Sequence, residues 1–229
     1  MKSRLVRTWQ SLRMFPERRL LRRRLSHPVI ETIAGHTVVV LPEVFNPVAF
    51  RSGACLAEFL HDSPEAAPGG EDSCALDLGT GSGIQALVLA SRGHRVDAVD
   101  LNTEAVRCAR ANAILNGLEH RIEVHHGDLF APVGAKRFDL IVFNPPFFRG
   151  EPKGRFDLSW RSLDVLPRFA QGLAGHLNPG GRAIVIWSSH EPEQSLLGPL
   201  SGAGLATRVL ARRQVPIETM TLFQVTRGA

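Results

Sequence analysis

Cys74-Ala75-Leu76-Asp77-Leu78-Gly79-Thr80-Gly81-Ser82-Gly83 decides how the rest of the chain is read. A short apolar run meets three glycines at alternating positions, and an apolar segment with helical spacing follows over 84–92. Strand, glycine loop and helix open a βαβ unit, and in an open α/β sheet a nucleotide-like ligand is held at that end of the strand. Glycines suit the place because a Cβ would keep a ligand off the backbone, and because positive φ costs glycine little. A pyrophosphate loop of the NAD kind needs its last glycine where Ile84 stands, and a phosphate loop needs Gly-Lys-Ser or Gly-Lys-Thr, which the sequence lacks.

Outward from this stretch the alternation is regular. Strands are predicted over 95–100, 121–125, 138–143 and 183–188, and helices over 103–116, from Asp164, and over 193–204, with closing strands at 206–213 and 217–226. A hairpin over 28–41 turning at Ala34-Gly35, a helix over 50–60 and a Pro/Gly-rich loop over 61–73 come first. This order predicts an α/β fold: a doubly wound, mostly parallel sheet with right-handed crossovers and one antiparallel edge strand at the end. The expected organisation is a basic arm over 1–26 and one domain over 27–229.

A second stretch carries the chemistry. Phe138-Asp139-Leu140-Ile141-Val142-Phe143 reads as a buried strand and runs into Asn144-Pro145-Pro146-Phe147. Each proline fixes its own φ near −65° and biases the residue before it away from helix, so the strand ends in a stiff platform for an amide and a bare carbonyl.

Asp77 to Gly83 resembles the first motif of class I S-adenosylmethionine-dependent methyltransferases, and Asn144-Pro145-Pro146-Phe147 resembles the Asn/Asp-Pro-Pro-aromatic motif of members that modify a planar nitrogen. The resemblance spans residues 44 to about 188 and implies a Rossmann-like, seven-stranded sheet. It implies a cofactor, S-adenosylmethionine, wrapped by Asp77, Gly79, Thr80, Gly81 and Gly83. Asp100 matches the acid that takes both ribose hydroxyls, Asp128 the position at the adenine amino group, and Leu101 and Leu129 the residues packed on the adenine. It further implies that Asn144 and the Pro145 carbonyl accept the two N–H groups of an NH₂, that Phe147 stacks on the planar group, and that no metal is needed. Val106 to Asn112 and the Asn144 turn are similar to HemK-type protein glutamine methyltransferases. Val44-Phe45-Asn46-Pro47 and Gly53 are similar to small-domain ribosomal RNA guanine-N2 methyltransferases, with Arg51 where an acid is usual and Ala54 where a hydroxyl is usual. Apart from the family, any one carboxylate is a solvated strand-end acid or a helix-cap neighbour, and the double proline is a strand-ending turn. Three acids at successive strand ends beside one glycine loop favour the ligand-binding alternative.

Charge is unevenly placed. The net charge is +5, yet residues 1–25 hold nine basic groups against Glu17, and the remainder carries 18 basic and 21 acidic groups. The arm suits a nucleic-acid grip, a membrane-surface contact, a transit peptide, or simply a solvated helix docked on the domain. Arg149, Lys153 and Arg155 in the loop after the turn, with Trp160 near the site, add to the nucleic-acid option. No run approaches the length of a membrane span, and three cysteines without metal-type spacing point to reduced thiols and a cytoplasmic setting. The expected activity is N-methyl transfer to a nucleic-acid base, with a protein glutamine or a small metabolite as alternatives. A non-catalytic RNA-binding scaffold and an NAD-dependent oxidoreductase are the competing classes, the latter disfavoured by Ile84.

Overall fold

The structure, a computed structural model, describes residues 26–151, 157 and 159–228. The arm over 1–25, Lys153 and Arg155 lie outside the described residues.

A hairpin of β1 (Val29–Ile33) and β2 (His36–Val40) precedes α1 (Ser52–Asp62). The βαβ series follows: β3 (Cys74–Leu78), α2 (Ile84–Ser91), β4 (Arg95–Asp100), α3 (Thr103–Leu115), β5 (Ile122–His126) and β6 (Phe138–Phe143). The two-residue strands β7 (Phe148–Arg149) and β8 (Arg161–Ser162) pair beside the following loop. After these come α4 (Val165–His176), β9 (Leu177–Ser188), α5 (Gln194–Gly202), β10 (Leu205–Val215) and β11 (Glu218–Arg227). The main sheet has seven strands in the order β10-β11-β9-β6-β3-β4-β5.

Parallel pairing runs from β9 through β6, β3 and β4 to β5. The chain goes outward from β3 through β4 to β5 and then returns to lay β6 on the other side of β3, so the topological switch lies between β3 and β6. The reversed strand, β11, is not at the edge as expected. It lies between β9 and β10, antiparallel to both. Burial explains this placement: Met220, Thr221, Leu222, Phe223 and Val225 are all buried, whereas Arg208, Arg212 and the half-buried Arg213 line β10, as suits an edge.

Side chains alternate between two cores on opposite faces of the sheet. Leu140 and Val142 join Leu56, Leu87 and Val106 of α1, α2 and α3 on one face, and Ile141 and Phe143 join Phe169, Leu173 and Leu200 of α4 and α5 on the other. The turn expected at 178–181 falls inside β9, where the pairing jumps from Phe138↔Leu177 to Leu140↔Arg182 and bulges out the residues between.

Candidate active site

Four neighbouring strands end together. In register, Leu78 of β3 partners both Phe143 of β6 and Val99 of β4, and Asp100 of β4 partners His126 of β5. Gly79, Asn144, Asp100 and Gly127 therefore emerge at one edge of the sheet, around a cleft of about 350 Å³. Gly79, Thr80, Gly81, Asp100, Leu101, Asp128, Leu129 and the whole turn Asn144, Pro145, Pro146 and Phe147 line this cleft. Asp77 and Gly83 do not; they stand behind its wall.

Those two residues shape the loop from behind. Asp77, 2% exposed, accepts from Thr80 Oγ1 at 2.6 Å and from the Ala86 N–H at 3.2 Å. Burial pushes its carboxyl up to about 7, against the pull of those two bonds. Gly83 has φ +86°, and a Cβ there would stand 3.0 Å from Ala109 Cα, so this glycine lets α3 approach the loop. Gly79 and Gly81 are also left-handed, at φ +65° and +56°, and they present backbone to the cleft.

Asp100 Oδ2 accepts the Gly81 N–H and its Oδ1 the Asn102 N–H, both at 2.8 Å. Burial raises its pKa, and these backbone bonds oppose the rise. Each oxygen keeps acceptor capacity for one more donor, so the carboxylate fits a pair of ribose hydroxyls. Leu101 is 49% exposed beside it, and Leu129 holds φ +47° on the adjoining strand end. Asp128 is already engaged: Arg168 Nη1 lies 2.5 Å from its Oδ2 while Arg168 Nε reaches Asp164 at 3.0 Å. An adenine amino group at Asp128 would share the carboxylate with Arg168.

At the end of β6, Asn144 Nδ2 donates to Ser52 Oγ at 3.1 Å. Asn144 Oδ1 is buried and has no hydrogen-bond partner among the described residues. A buried acceptor left open costs about 1–3 kcal/mol, so it is a place where a ligand donor gains by binding. Phe147 is buried, its ring 5.4 Å from that of Trp187 in a T-shaped contact.

The facing wall comes from the segment before α1. Asn46 Oδ1 accepts from the Val48 and Ala49 N–H groups while its Nδ2 donates to Glu31. Asn102 Nδ2 holds the Glu43 carbonyl and Gln85 Nε2 the Gly53 carbonyl. A Cβ on Gly53 would come within 2.6 Å of Pro47 Cβ, so only glycine lets α1 close on this segment. Phe45 and Trp160 line the cleft with ring centroids 5.2 Å apart, and Phe50 abuts Trp160 at 4.2 Å.

Ser52, Arg168 and Asn112 take parts that sequence reasoning did not assign. Asn112, fully buried, accepts the Val39 N–H and donates to the carbonyls of Val39 and Ser82, joining β2 to the glycine loop. A polar residue on the apolar side of an amphipathic helix was the available signal for it. Elsewhere one side-chain ligand atom each of Asp97, Glu123 and His125 lies within 4.8 Å of the others, and Lys136 Nζ, 2.9 Å from Asp97, supplies a cation there. No helix among the described residues is long and apolar enough to cross a membrane.

Glycine loop, strand-end acid and Asn-Pro-Pro turn around one switch-point cleft define the Rossmann-like S-adenosylmethionine-dependent methyltransferases, and the open loop backbone with Asp100 beside it fits that cofactor. The chain belongs to the methyltransferase small-domain family, whose model matches residues 36–214. It is 41% identical over 123 residues to the ribosomal protein uL3 glutamine methyltransferase of Bradyrhizobium diazoefficiens, covering 48% of this chain and 39% of that protein. It is 32% identical over 155 residues to the ribosomal RNA small subunit methyltransferase C of Alcanivorax borkumensis, covering 68% and 42%. With the release factor glutamine methyltransferase of Geobacter sulfurreducens the identity is 31% over 189 residues, covering 76% and 63%. The chain thus spans less than two thirds of the length of each of these relatives. Among solved structures, the T. thermophilus 16S rRNA N2 G1207 methyltransferase in complex with AdoMet and guanosine superposes with a TM-score of 0.65 at 28% identity, over 88% of this chain and 50% of that one.

Proposed function

We propose that the chain transfers the methyl group of S-adenosylmethionine to a planar NH₂ nitrogen, and that its substrate is a nucleic-acid base, RNA first. The observation that carries this is the open acceptor Asn144 Oδ1, at the end of β6, beside the glycine loop. The nitrogen of a planar amino group has its lone pair delocalised and is a poor nucleophile. An N–H taken by Asn144 Oδ1, with the second taken by the Pro145 main-chain carbonyl, draws the nitrogen toward tetrahedral geometry and frees the lone pair. The bound cofactor supplies a methyl group on a sulfonium. A carbon–nitrogen bond forms as the carbon–sulfur bond breaks, and the nitrogen then loses one proton to solvent.

A base is favoured because Phe45 and Trp160 give the cleft flat aromatic walls, because the solved relative above holds guanosine, and because residues 1–25 supply phosphate-seeking charge. A protein glutamine is the second substrate class, supported by the relatives that methylate uL3 and release factor glutamines. Incubation with methyl-labelled cofactor and a lysate fractionated into RNA, protein and small molecules tests this. Label in RNA is the expected result, label in protein moves the assignment to glutamine, and label in no fraction contradicts the activity.

A further inference from the structure

Two separate segments of the chain meet at Trp160. Its ring lies 4.2 Å from that of Phe50 and 5.2 Å from that of Phe45, both in the segment before α1, and its carbonyl accepts the Phe148 N–H of β7 at 2.9 Å. Trp160 and Phe45 are half-buried and line the cleft, so the contact forms part of its mouth.

Two arginines stand beside this contact. Arg51 follows Phe50 and Arg149 follows Phe148; both are exposed, and neither guanidinium has a hydrogen-bond or ion-pair partner among the described residues. Arg161 and Arg168, which line the cleft itself, are by contrast taken up by Asp157 and by Asp128 with Asp164. Arg51 holds φ +61°, a left-handed backbone that residues with a Cβ rarely adopt, and it projects to solvent between Phe50, at Trp160, and the buried Ser52.

The turn that would receive the target lies deeper, since Pro145 and Phe147 are buried. A base inside a double helix is walled in by its neighbours and its amino group is already paired, so only a base swung out of an unpaired strand reaches that depth. What stays at the mouth is then the next base along the strand and the phosphates on either side of it. An aromatic ring and unpaired cations are the groups that hold these.

We propose that Trp160, Arg51 and Arg149 form a binding rim for an unpaired RNA strand. The Trp160 ring stacks on the base next to the target, and the two guanidinium groups neutralise phosphates beside it. The proposal rests on the nucleic-acid-base reading given above, but its test needs no methyl transfer.

Fluorescence anisotropy of a short labelled single-stranded RNA, and of the duplex made with its complement, is followed against salt concentration for the full chain saturated with S-adenosylhomocysteine. On the single strand, Arg51→Gln and Arg149→Gln are each expected to flatten the slope of log affinity against log salt by about 0.7, and the two together by about 1.4, while Arg51→Lys keeps the wild-type slope. Trp160→Ala is expected to weaken single-strand binding about tenfold at every salt concentration, with its slope and the affinity for the duplex unchanged. Trp160→Leu replaces it if the alanine variant does not fold. A wild-type slope in Arg51→Gln/Arg149→Gln, an equal loss on both RNAs in the Trp160 variant, or no salt-dependent binding of the single strand by the wild-type chain overturns the proposal. The expected changes in binding together with methyl label in the protein fraction alone would keep the rim and overturn the base as methyl acceptor, so the two failures are told apart.

Discussion

The Asp100 carboxylate accepts the Gly81 N–H at 2.8 Å, so the acid at the end of β4 and the glycine loop after β3 are one unit. Substituting Asp100 removes a carboxylate acceptor from the cleft and at the same time releases the loop that shapes its other side.

Asp100→Ala is therefore expected to weaken S-adenosylmethionine binding by roughly 100-fold or more, the scale of two lost charge-assisted hydrogen bonds. Calorimetric titration measures it. A dissociation constant close to wild type would remove Asp100 from the site.

Asp77 makes stability depend on pH in a definite direction. Its carboxyl is raised from 3.8 to about 7 in the folded protein, so between those values the folded state holds a proton that the unfolded state has released. This contribution is fully present below the unfolded pKa and is lost as pH rises through about 7, at up to about 1.4 kcal/mol per pH unit. Asp77→Asn, which keeps an amide in place of the protonated acid, is expected to gain on the wild type steadily from pH 4 to pH 7. Parallel urea titration curves for the two proteins across that range would contradict this.

Asn112 is expected to matter for folding rather than for transfer chemistry. Asn112→Leu leaves the Val39 N–H and the Val39 and Ser82 carbonyls without their side-chain partner in a buried place. The expected cost is about 2–4 kcal/mol of unfolding free energy, read from the shift of the denaturation midpoint.

Residues 1–25 concentrate the positive charge, against a slightly acidic remainder. Deleting them is expected to weaken RNA binding and to flatten its dependence on salt, because each lost phosphate contact no longer releases a counterion. Equal affinity and equal salt slope for the shortened chain would assign the arm to docking on its own domain.

The parts of the site legible in the sequence are those written on one strand end. The glycine loop, Asp100, Asp128 and the Asn144 turn each follow directly on a strand, and parallel order alone brings them to one edge of the sheet. Ser52 and Asn144, 92 residues apart, meet only because α1 folds back over the end of β6. The same is true of Asn112 with Val39 and of Arg168 with Asp128. Such pairs leave no local periodicity to read. The internal position of β11 did leave a signal, since it carries no charge between Glu218 and Arg227 and places Met220, Leu222, Phe223 and Val225 on both faces, in contrast to the arginines of β10, and only an inner strand is covered on both faces.

The central claim is that Asn144 Oδ1 activates a planar nitrogen, and the most direct measurement is single-turnover methyl transfer by Asn144→Ala alongside its affinity for S-adenosylmethionine. Transfer is expected to fall by roughly 100-fold or more, the scale of removing one preorganised polar group from a reacting centre, while cofactor affinity stays near wild type. Transfer by Asn144→Ala at close to the wild-type rate would contradict it.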